Sequence, residues 1–314
     1  MKHRIGLGFA WLLFLLQSLQ AQEPAVSAGK IIRYNNFPSS IIPSREIDVW
    51  LPPGYTETHR YPVLYLHDGQ MLFDAAQTWN KQGWEIDDTI AALLQQELIE
   101  PMLVVGIHNT GANRHAEYCP QRALDLLPVL YRDSLNATLR EPHPKGYFAG
   151  PILSDNYLRF IVQELKPFID AHYPTRPGPA NTTIGGSSMG GMISWYAVCE
   201  YPEIFGAALC LSTHWPILFT LQQNPFPDAM LHYFGNHLPS AQTHRFYFDY
   251  GTATLDSLYE PFQQLADEHL RRAGYQRTHW KTLKFPGADH SENAWRNRFR
   301  EALLFQYGTK KQPG

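Results

Sequence analysis

The sequence predicts an α/β protein with one doubly wound, mostly parallel sheet. Short, continuously apolar runs are typical of strands buried on both faces of a sheet, and they occur at residues 61–66, 102–107, 207–211 and 245–248. Stretches with apolar residues at helical spacing separate or follow these runs, at residues 86–94, 156–171 and 259–273. Because the two patterns alternate along the whole chain, they favour a single α/β domain.

The composition fits one large domain with a substantial core. The chain has 314 residues, 44% of them hydrophobic, and a formal net charge of -3, which argues against nucleic acid as the partner. Its three cysteines, Cys119, Cys199 and Cys210, are too sparse for a disulfide framework. We therefore expect buried thiols.

The N-terminus predicts export. Basic residues at positions 2–4 precede an apolar run at 5–16, and the small residue Ala21 suits cleavage before Gln22. The apolar run is shorter than the ~20 residues that span a bilayer. We therefore expect a signal peptide at 1–21, a single domain at 22–314 without a membrane span, and a secreted or periplasmic location.

The remaining elements follow in order. Apolar segments at 30–34 and 47–50, with turn residues between them, predict an antiparallel hairpin at the sheet edge, and 295–306 predict a C-terminal helix. Two stretches, 119–151 and 213–242, are too long for simple connections within a compact domain. Since both follow strand ends at the same edge, we expect them to form walls or a lid over a substrate.

Residues 186–190 fit the nucleophile-elbow pattern G-x-S-x-G. They lie between a strand-like run and an apolar, helix-compatible run at 192–198, so the pattern predicts Ser188 as the nucleophile. Met189 would offer its backbone N–H at the start of the helix, where donors are unpaired and the dipole favours negative charge. A phosphate-binding loop is the alternative, but the Lys-Ser/Thr ending of that motif is missing.

A base and an acid are expected further along the chain. His290 lies on a loop before the C-terminal helix, in the order Ser, acid, His that accompanies the elbow. Asp256, after the strand at 245–248, is favoured as the acid, and Asp249 is its rival. Asp256 has a second interpretation as the N-cap of the helix that follows.

The second oxyanion donor is expected in the loop after residues 61–66. Gly69 allows a tight turn there, and Gln70 would present its N–H. With these groups in place, the serine hydrolase mechanism follows: attack by Ser188, proton transfer to His290 and hydrolysis of an acyl-enzyme by water.

Residues 65–74, 186–191 and 290–295 together resemble motifs of the putative esterase family, and the likeness extends from 47 to 304. That family includes enterochelin esterases, S-formylglutathione hydrolases, feruloyl and acetylxylan esterases, and mycolyltransferases. The resemblance implies an α/β-hydrolase fold with helices on both faces of the sheet and lid-like insertions. It also implies Ser188 as nucleophile, His290 as base, and Gln70 and Met189 as oxyanion donors. Asp256 follows a Gly-Thr turn as the mycolyltransferase acid does, with an offset of one residue.

Further residues resemble positions near the family's active-site cleft: Asp68, Trp84, Asn109, Arg114 and Tyr118. Structural roles are the alternative, with Asp68 supporting its own loop and Arg114 paired with Glu117. Trp215 belongs to an aromatic-rich stretch at 213–234 whose faces would suit sugar rings or phenolic acids.

These patterns predict an exported serine carboxylesterase acting on a small-molecule or carbohydrate ester, such as acyl or feruloyl esters of polysaccharides. A siderophore esterase, using Arg114 or Arg122 to bind a charged substrate, is the alternative. Acyl transfer would use the same residues, and a non-catalytic binding protein on the same scaffold is the alternative of another class. No metal or cofactor is expected, since no zinc or calcium ligand spacing occurs. The oligomeric state stays open.

Overall fold

The computed structural model describes residues 24–139, 148 and 150–309. One eight-stranded sheet runs through this part of the chain, in the order β1-β2-β4-β3-β5-β6-β7-β8. Its strands are β1 Lys30–Phe37, β2 Arg45–Leu51, β3 Val63–His67, β4 Leu103–Ile107, β5 Thr182–Ser187, β6 Ala207–Leu211, β7 Arg245–Gly251 and β8 Trp280–Phe285. Strand β2 pairs antiparallel with both neighbours, whereas every other pair is parallel. The predicted edge hairpin is confirmed as β1 and β2.

Nine α-helices occur among the described residues. They are α1 Ile86–Gln95, α2 Arg114–Tyr118, α3 Val129–Leu139, α4 Ser154–Phe160, α5 Lys166–His172, α6 Met189–Glu200, α7 Phe226–His237, α8 Glu260–Arg272 and α9 Glu292–Tyr307. A π-helical turn, Ile161–Leu165, joins α4 to α5, so the predicted helix at 156–171 is one continuous element in three parts.

Helices cover both faces of the sheet, as predicted. Alternate residues of β3 separate into two cores, with Val63 and Tyr65 on one face and Leu64 and Leu66 on the other. Side chains of α1 and α9 fill the second core, and those of α4 to α8 fill the first. This confirms the α/β class and explains the continuously apolar strands, which are buried on both sides.

The three cysteines are buried, as expected, and carry free thiols. Within the described ranges no helix is long and apolar enough to cross a membrane. The predicted signal peptide at 1–21 lies outside the described residues.

The two long stretches differ from simple loops. Residues 213–242 contain α7, whose Phe226, Met230 and Phe234 are buried in the core. Residues 119–151 contain a 3₁₀ helix, Arg122–Leu126, and α3, while 140–147 and 149 are outside the description. Both therefore carry structure of their own.

Candidate active site

Ser188 occupies a sharp turn between β5 and α6. Its φ of 57° and ψ of -121° are unfavourable for a residue with a side chain, and its N–H donates to the Leu211 carbonyl at 2.9 Å. A Cβ on Gly186 would lie 3.1 Å from the backbone of Gly190, so this crossing of strand and helix favours glycine. The turn leaves Ser188 9% exposed, beside a cleft.

Two backbone N–H groups, those of Met189 and Gln70, lie just after strand ends at the same edge of the sheet. Met189 begins α6, and Gln70 belongs to the 3₁₀ turn Gly69–Met71 that follows β3, the neighbour of β5. A Cβ on Gly69 would approach the His108 ring to 2.6 Å, so only glycine fits this close crossing. In the part of the chain that the structure describes, neither N–H makes a backbone hydrogen bond outside its own helix.

His290 is held by an acid on one ring nitrogen. Its Nδ1 lies 2.6 Å from Asp256 Oδ1, and its backbone N–H donates to Thr254 Oγ1 at 2.9 Å. The ring packs edge-on against Trp295, with centroids 4.9 Å apart. Among the described residues no hydrogen bond joins His290 to Ser188. Such bonds are often long before substrate binds.

Asp256, rather than Asp249, contacts His290. Its Oδ2 accepts hydrogen bonds from Ser212 Oγ and the Gly251 N–H, each at 2.6 Å. Burial alone would raise the pKa of Asp256, but the hydrogen bonds, foremost that of His290, outweigh it and lower the pKa. Asp256 is not the N-cap of α8, a position held by Tyr259.

Asp249 has different partners. Its Oδ1 lies 3.0 Å from Arg298 Nε, and its Oδ2 accepts from Tyr247 OH at 3.0 Å. Burial raises the pKa of Asp249 to about 6, although Arg298 and Tyr247 oppose the shift. The carboxylate is therefore engaged away from the imidazole.

A cleft of about 540 Å³ joins most of the predicted residues. Those that line it are Asp68, Gln70, Trp84, Asn109, Arg114, Ser188 and His290. Sequence reasoning missed the others, which are Met71, Trp79, Asn80, Gln82, Ser187, Ser291, Glu292 and Trp295. The walls come from the connection between β3 and α1 and from the start of α9. No described residue of 119–151 or 213–242 lines the cleft. The expected wall is therefore wrong for 213–242 and for the described part of 119–151, while 140–147 and 149 lie outside the description.

Asp68 is buried and forms an ion pair with the half-buried Arg114 at the cleft. It accepts from Arg114 Nε at 2.9 Å and Nη2 at 2.7 Å, and its other contact is Asn109 Nδ2 at 2.7 Å. Burial would raise the pKa of Asp68, but Arg114 and then Asn109 lower it. Arg114 therefore pairs with Asp68 and not with Glu117, which binds Arg45 instead.

Tyr118 and Trp215 do not line the cleft. Tyr118 lies beneath it, where its OH accepts from the Asp68 N–H at 3.3 Å and its ring packs against the Arg114 guanidinium. Trp215 is fully buried, stacks on Trp195 and donates to Gln263 at 3.1 Å. The prediction of Trp215 as a substrate-binding residue is wrong, because the aromatic stretch around it packs into the core.

Trp79 is a large apolar side chain that is 84% exposed, and it lies at the cleft. A signal existed in the sequence, since Trp79 occurs in a mostly polar connection, whereas Trp84 is 3% exposed and packs into the second core. Nothing in the periodicity indicated which strand end this connection would face.

Comparison with known proteins agrees with this architecture. The chain is 29% identical over 164 residues to the uncharacterized protein YbbA of Bacillus subtilis, a match that covers 52% of this chain and 54% of that protein. The chain thus spans about half the length of the curated relatives it matches.

Solved structures share the fold. The enterobactin esterase of Shigella flexneri, solved in the presence of enterobactin, matches with a TM-score of 0.64 at 17% identity, over 91% of this chain and 60% of that one. A ferulic acid esterase of Anaeromyces mucronatus matches with a TM-score of 0.61 at 20% identity, over 91% and 93%. These likenesses show an α/β-hydrolase fold. The family model described as "Putative esterase" matches residues 39–306, most of the chain, and the protein therefore belongs to the putative esterase family.

Proposed function

We propose that the protein is a serine carboxylesterase with Ser188, His290 and Asp256 as its catalytic residues. The observation that carries this proposal is the 2.6 Å contact of His290 Nδ1 with the buried Asp256 carboxylate, in a loop that shares a cleft with the strained Ser188 turn. Membership of an esterase family supports it.

The proposed mechanism uses the Ser188 hydroxyl, the His290 imidazole and two backbone N–H groups. Ser188 Oγ attacks the ester carbonyl while His290 Nε2 takes its proton, and Asp256 stabilises the imidazolium through Nδ1. The backbone N–H groups of Gln70 and Met189 bind the oxyanion. Protonation of the leaving alcohol by His290 gives an acyl-enzyme, which water hydrolyses with His290 acting again as base.

For the substrate we propose a neutral ester with a flat aromatic or sugar group, such as an acyl or feruloyl ester of a polysaccharide. Three tryptophans line the cleft, Trp79, Trp84 and Trp295, and Trp79, which is 84% exposed, presents a face that suits such groups. The fold match to a ferulic acid esterase is consistent with this class.

A siderophore ester is the second candidate, supported by the fold match to an enterobactin esterase. The charges are less favourable to it. Arg114 is engaged by Asp68, and Arg122 by Glu200 and Asp155, while Glu292 adds a negative charge to the cleft. An anionic substrate would therefore meet paired cations and an acid.

Export remains part of the proposal because of the basic and apolar pattern at 1–21. N-terminal sequencing of the protein recovered from the periplasm or medium of its producing cells tests it. We expect the mature chain to begin at Gln22, and an unprocessed cytosolic chain would contradict export.

Hydrolysis of para-nitrophenyl acetate, butyrate and octanoate and of methyl ferulate, by the protein and by its Ser188→Ala variant, tests the activity. We expect turnover that falls roughly 10⁴-fold or more in the variant, as for other serine hydrolases. A fluorophosphonate probe should label the protein and not the variant. Equal turnover in both proteins would refute Ser188 as the nucleophile.

A further inference from the structure

A second buried carboxylate lies behind Asp256, and the proposed mechanism does not use it. Asp249 is 1% exposed at the end of β7, and Asp256 is fully buried a few residues later. Two carboxylates buried in one region are unfavourable unless a cation compensates them.

Arg298 of α9 supplies that cation and contacts both acids. Besides its Nε contact with Asp249, its Nη2 lies 3.4 Å from Asp256 Oδ2 and donates to Ser212 Oγ. Arg298 is 3% exposed, so solvent screens these contacts little. The bridge meets the Asp256 oxygen that faces away from His290, since Oδ1 contacts the imidazole.

Ser212 connects the same groups through one hydroxyl. Its Oγ donates to Asp256 Oδ2 at 2.6 Å and accepts from Arg298 and from Trp295 Nε1, the latter at 2.9 Å. Trp295 and Arg298 are three residues apart on α9 and so share a face of the helix. The helix that packs against His290 therefore also fixes the acid behind it.

We propose that Arg298 is a positioning residue for ester hydrolysis, and that Asp249 balances its charge so that the buried group behind His290 keeps a net charge of about -1. This inference rests on the proposed function. Above about pH 6, the value to which burial raises the pKa of Asp249, both acids are ionised. The two carboxylates and the guanidinium then leave one negative charge to stabilise the imidazolium. Without Asp249, Arg298 would cancel the charge of Asp256.

Other titratable groups face this network. They are Tyr247 on β7, Glu301 on α9, whose charge acts on Tyr247, and His214 after β6, on which the charge of His290 acts. The Asp249→Asn substitution leaves Glu301 and His214 untouched and alters the hydrogen bond of Tyr247, whose pKa burial raises well above 10, so that Tyr247 stays neutral during the titration. The effect on His290 therefore reports on the charge of Asp249.

The first test is the Asp249→Asn variant, which keeps the shape of the side chain. The titration of His290 is followed by NMR of ¹³C-labelled histidine, with the resonance assigned by its loss in His290→Gln. We expect the midpoint to move to lower pH by up to about one unit, the order expected for removal of a unit charge at an effective dielectric of about 20. The acid limb of the kcat/KM profile should move in the same direction.

The opposite shift is expected when the cation is removed. Arg298→Gln leaves two uncompensated carboxylates, so the His290 midpoint should rise. The double variant Asp249→Asn with Arg298→Gln provides an independent test that does not require the single Arg298→Gln variant to be purified. It restores a net charge of about -1, and its midpoint should return close to that of the wild type.

The matched control is Asp267→Asn. Asp267 is a half-buried carboxylate whose partners are Gln263 and Thr282, so its loss should leave the His290 midpoint unchanged. An unchanged midpoint in Asp249→Asn, or a double variant that shifts as far as the single one, would overturn the inference. The NMR titration needs no turnover, so absence of Ser188-dependent hydrolysis would refute the proposed function separately.

Discussion

Asp256 accepts hydrogen bonds from a hydroxyl and a backbone amide on the oxygen that does not face His290. These contacts fix the carboxylate without competing for the imidazole. The arrangement also explains why a single sequence left two acids open. Asp249 lies near the end of β7 and Asp256 follows that strand. Only the fold shows which of them is turned towards the histidine loop and which towards α9.

We predict that Asp256→Asn lowers kcat/KM for para-nitrophenyl acetate roughly 10³- to 10⁴-fold, because the amide favours the wrong tautomer of His290. Asp249→Asn should lower kcat/KM much less, since the Asp249 carboxylate does not contact the imidazole. Steady-state kinetics of the two variants at pH 8 make the comparison. A greater loss in Asp249→Asn would contradict the assignment of the acid.

Trp79 exposes a large apolar face at the cleft, where it has water to displace and little protein to pack against. We predict that Trp79→Ala raises KM for methyl ferulate about 2- to 10-fold, the range expected for loss of one aromatic contact. KM for para-nitrophenyl acetate, with its small acyl group, should change less. Melting temperature should be unaffected.

Phe219→Ala is the control for that experiment. Phe219 is also exposed, at 64%, but it does not line the cleft. Its substitution should leave both KM values unchanged. Equal effects of the two substitutions would argue against a contact between Trp79 and the substrate.

The loop after β3 is held from several elements at once. Arg114 of α2 and Asn109, just after β4, bind Asp68, while the Asn109 N–H donates to the side chain of Gln70 at 3.2 Å. Asp68 itself has a φ of 59°, a left-handed conformation that needs such support. The position of the Gln70 N–H therefore depends on an ion pair.

We predict that Arg114→Met lowers kcat about 10-fold or more through loss of the oxyanion donor's position, and that Arg114→Lys recovers part of the loss. KM should change little if the effect is confined to the transition state. Arg122→Met, which removes a more exposed ion pair with Glu200, is the matched control and should leave kcat unchanged. A change in KM alone would instead indicate direct substrate binding by Arg114.

At the scale of elements, the sequence predicted most strands and helices because both buried faces of a parallel strand leave a plain apolar signal. The connection between β3 and α1 shows no such apolar pattern. Its cleft residues are polar or single aromatics, and their position depends on tertiary contacts such as Asn80 with Glu292, which are far apart in sequence. The aromatic stretch at 213–234 gave a wrong prediction of substrate binding, since aromatic side chains fill a core as readily as they bind a ligand.

For the whole molecule, buried neutral histidines make stability depend on pH. Burial lowers the pKa of His67 and of His214 to about 3, against about 6.5 in an unfolded chain. The unfolded state therefore binds more protons below pH 6.5, and the free energy of unfolding falls as the pH drops from there towards 3. His108 acts in the opposite direction, because Glu46 and Asp48 raise its pKa in spite of burial.

We predict that His67 and His214 each lower the free energy of unfolding by about 2 kcal/mol between pH 7 and pH 5. Urea denaturation at pH 7, 6 and 5 measures it. His214→Asn, which keeps a polar group near Tyr259, should remove about half of this dependence. The exposed His59→Asn is the control and should leave it unchanged, and a pH-independent stability in the wild type would contradict the prediction.

Only part of the candidate active site could be predicted from the sequence. Motifs marked Ser188, His290 and the loop of Gln70, since each needs residue types that are visible in the sequence, such as the glycines of a tight turn. The roles of Arg298 and Ser212 could not be found in this way. An arginine in a helix and a serine after a strand carry no signal until the fold buries them together.

The position of α9 has a consequence for how the protein is made. Ser188 and Asp256 are synthesised before β8, whereas His290 and the helix that carries Trp295 and Arg298 come after all eight strands. A nascent chain can therefore form its sheet before it has a proton acceptor or a cation for its acids. Under the proposed function, hydrolysis begins only when the last helix docks, so recovered activity after refolding measures completion of the native state and not the amount of sheet.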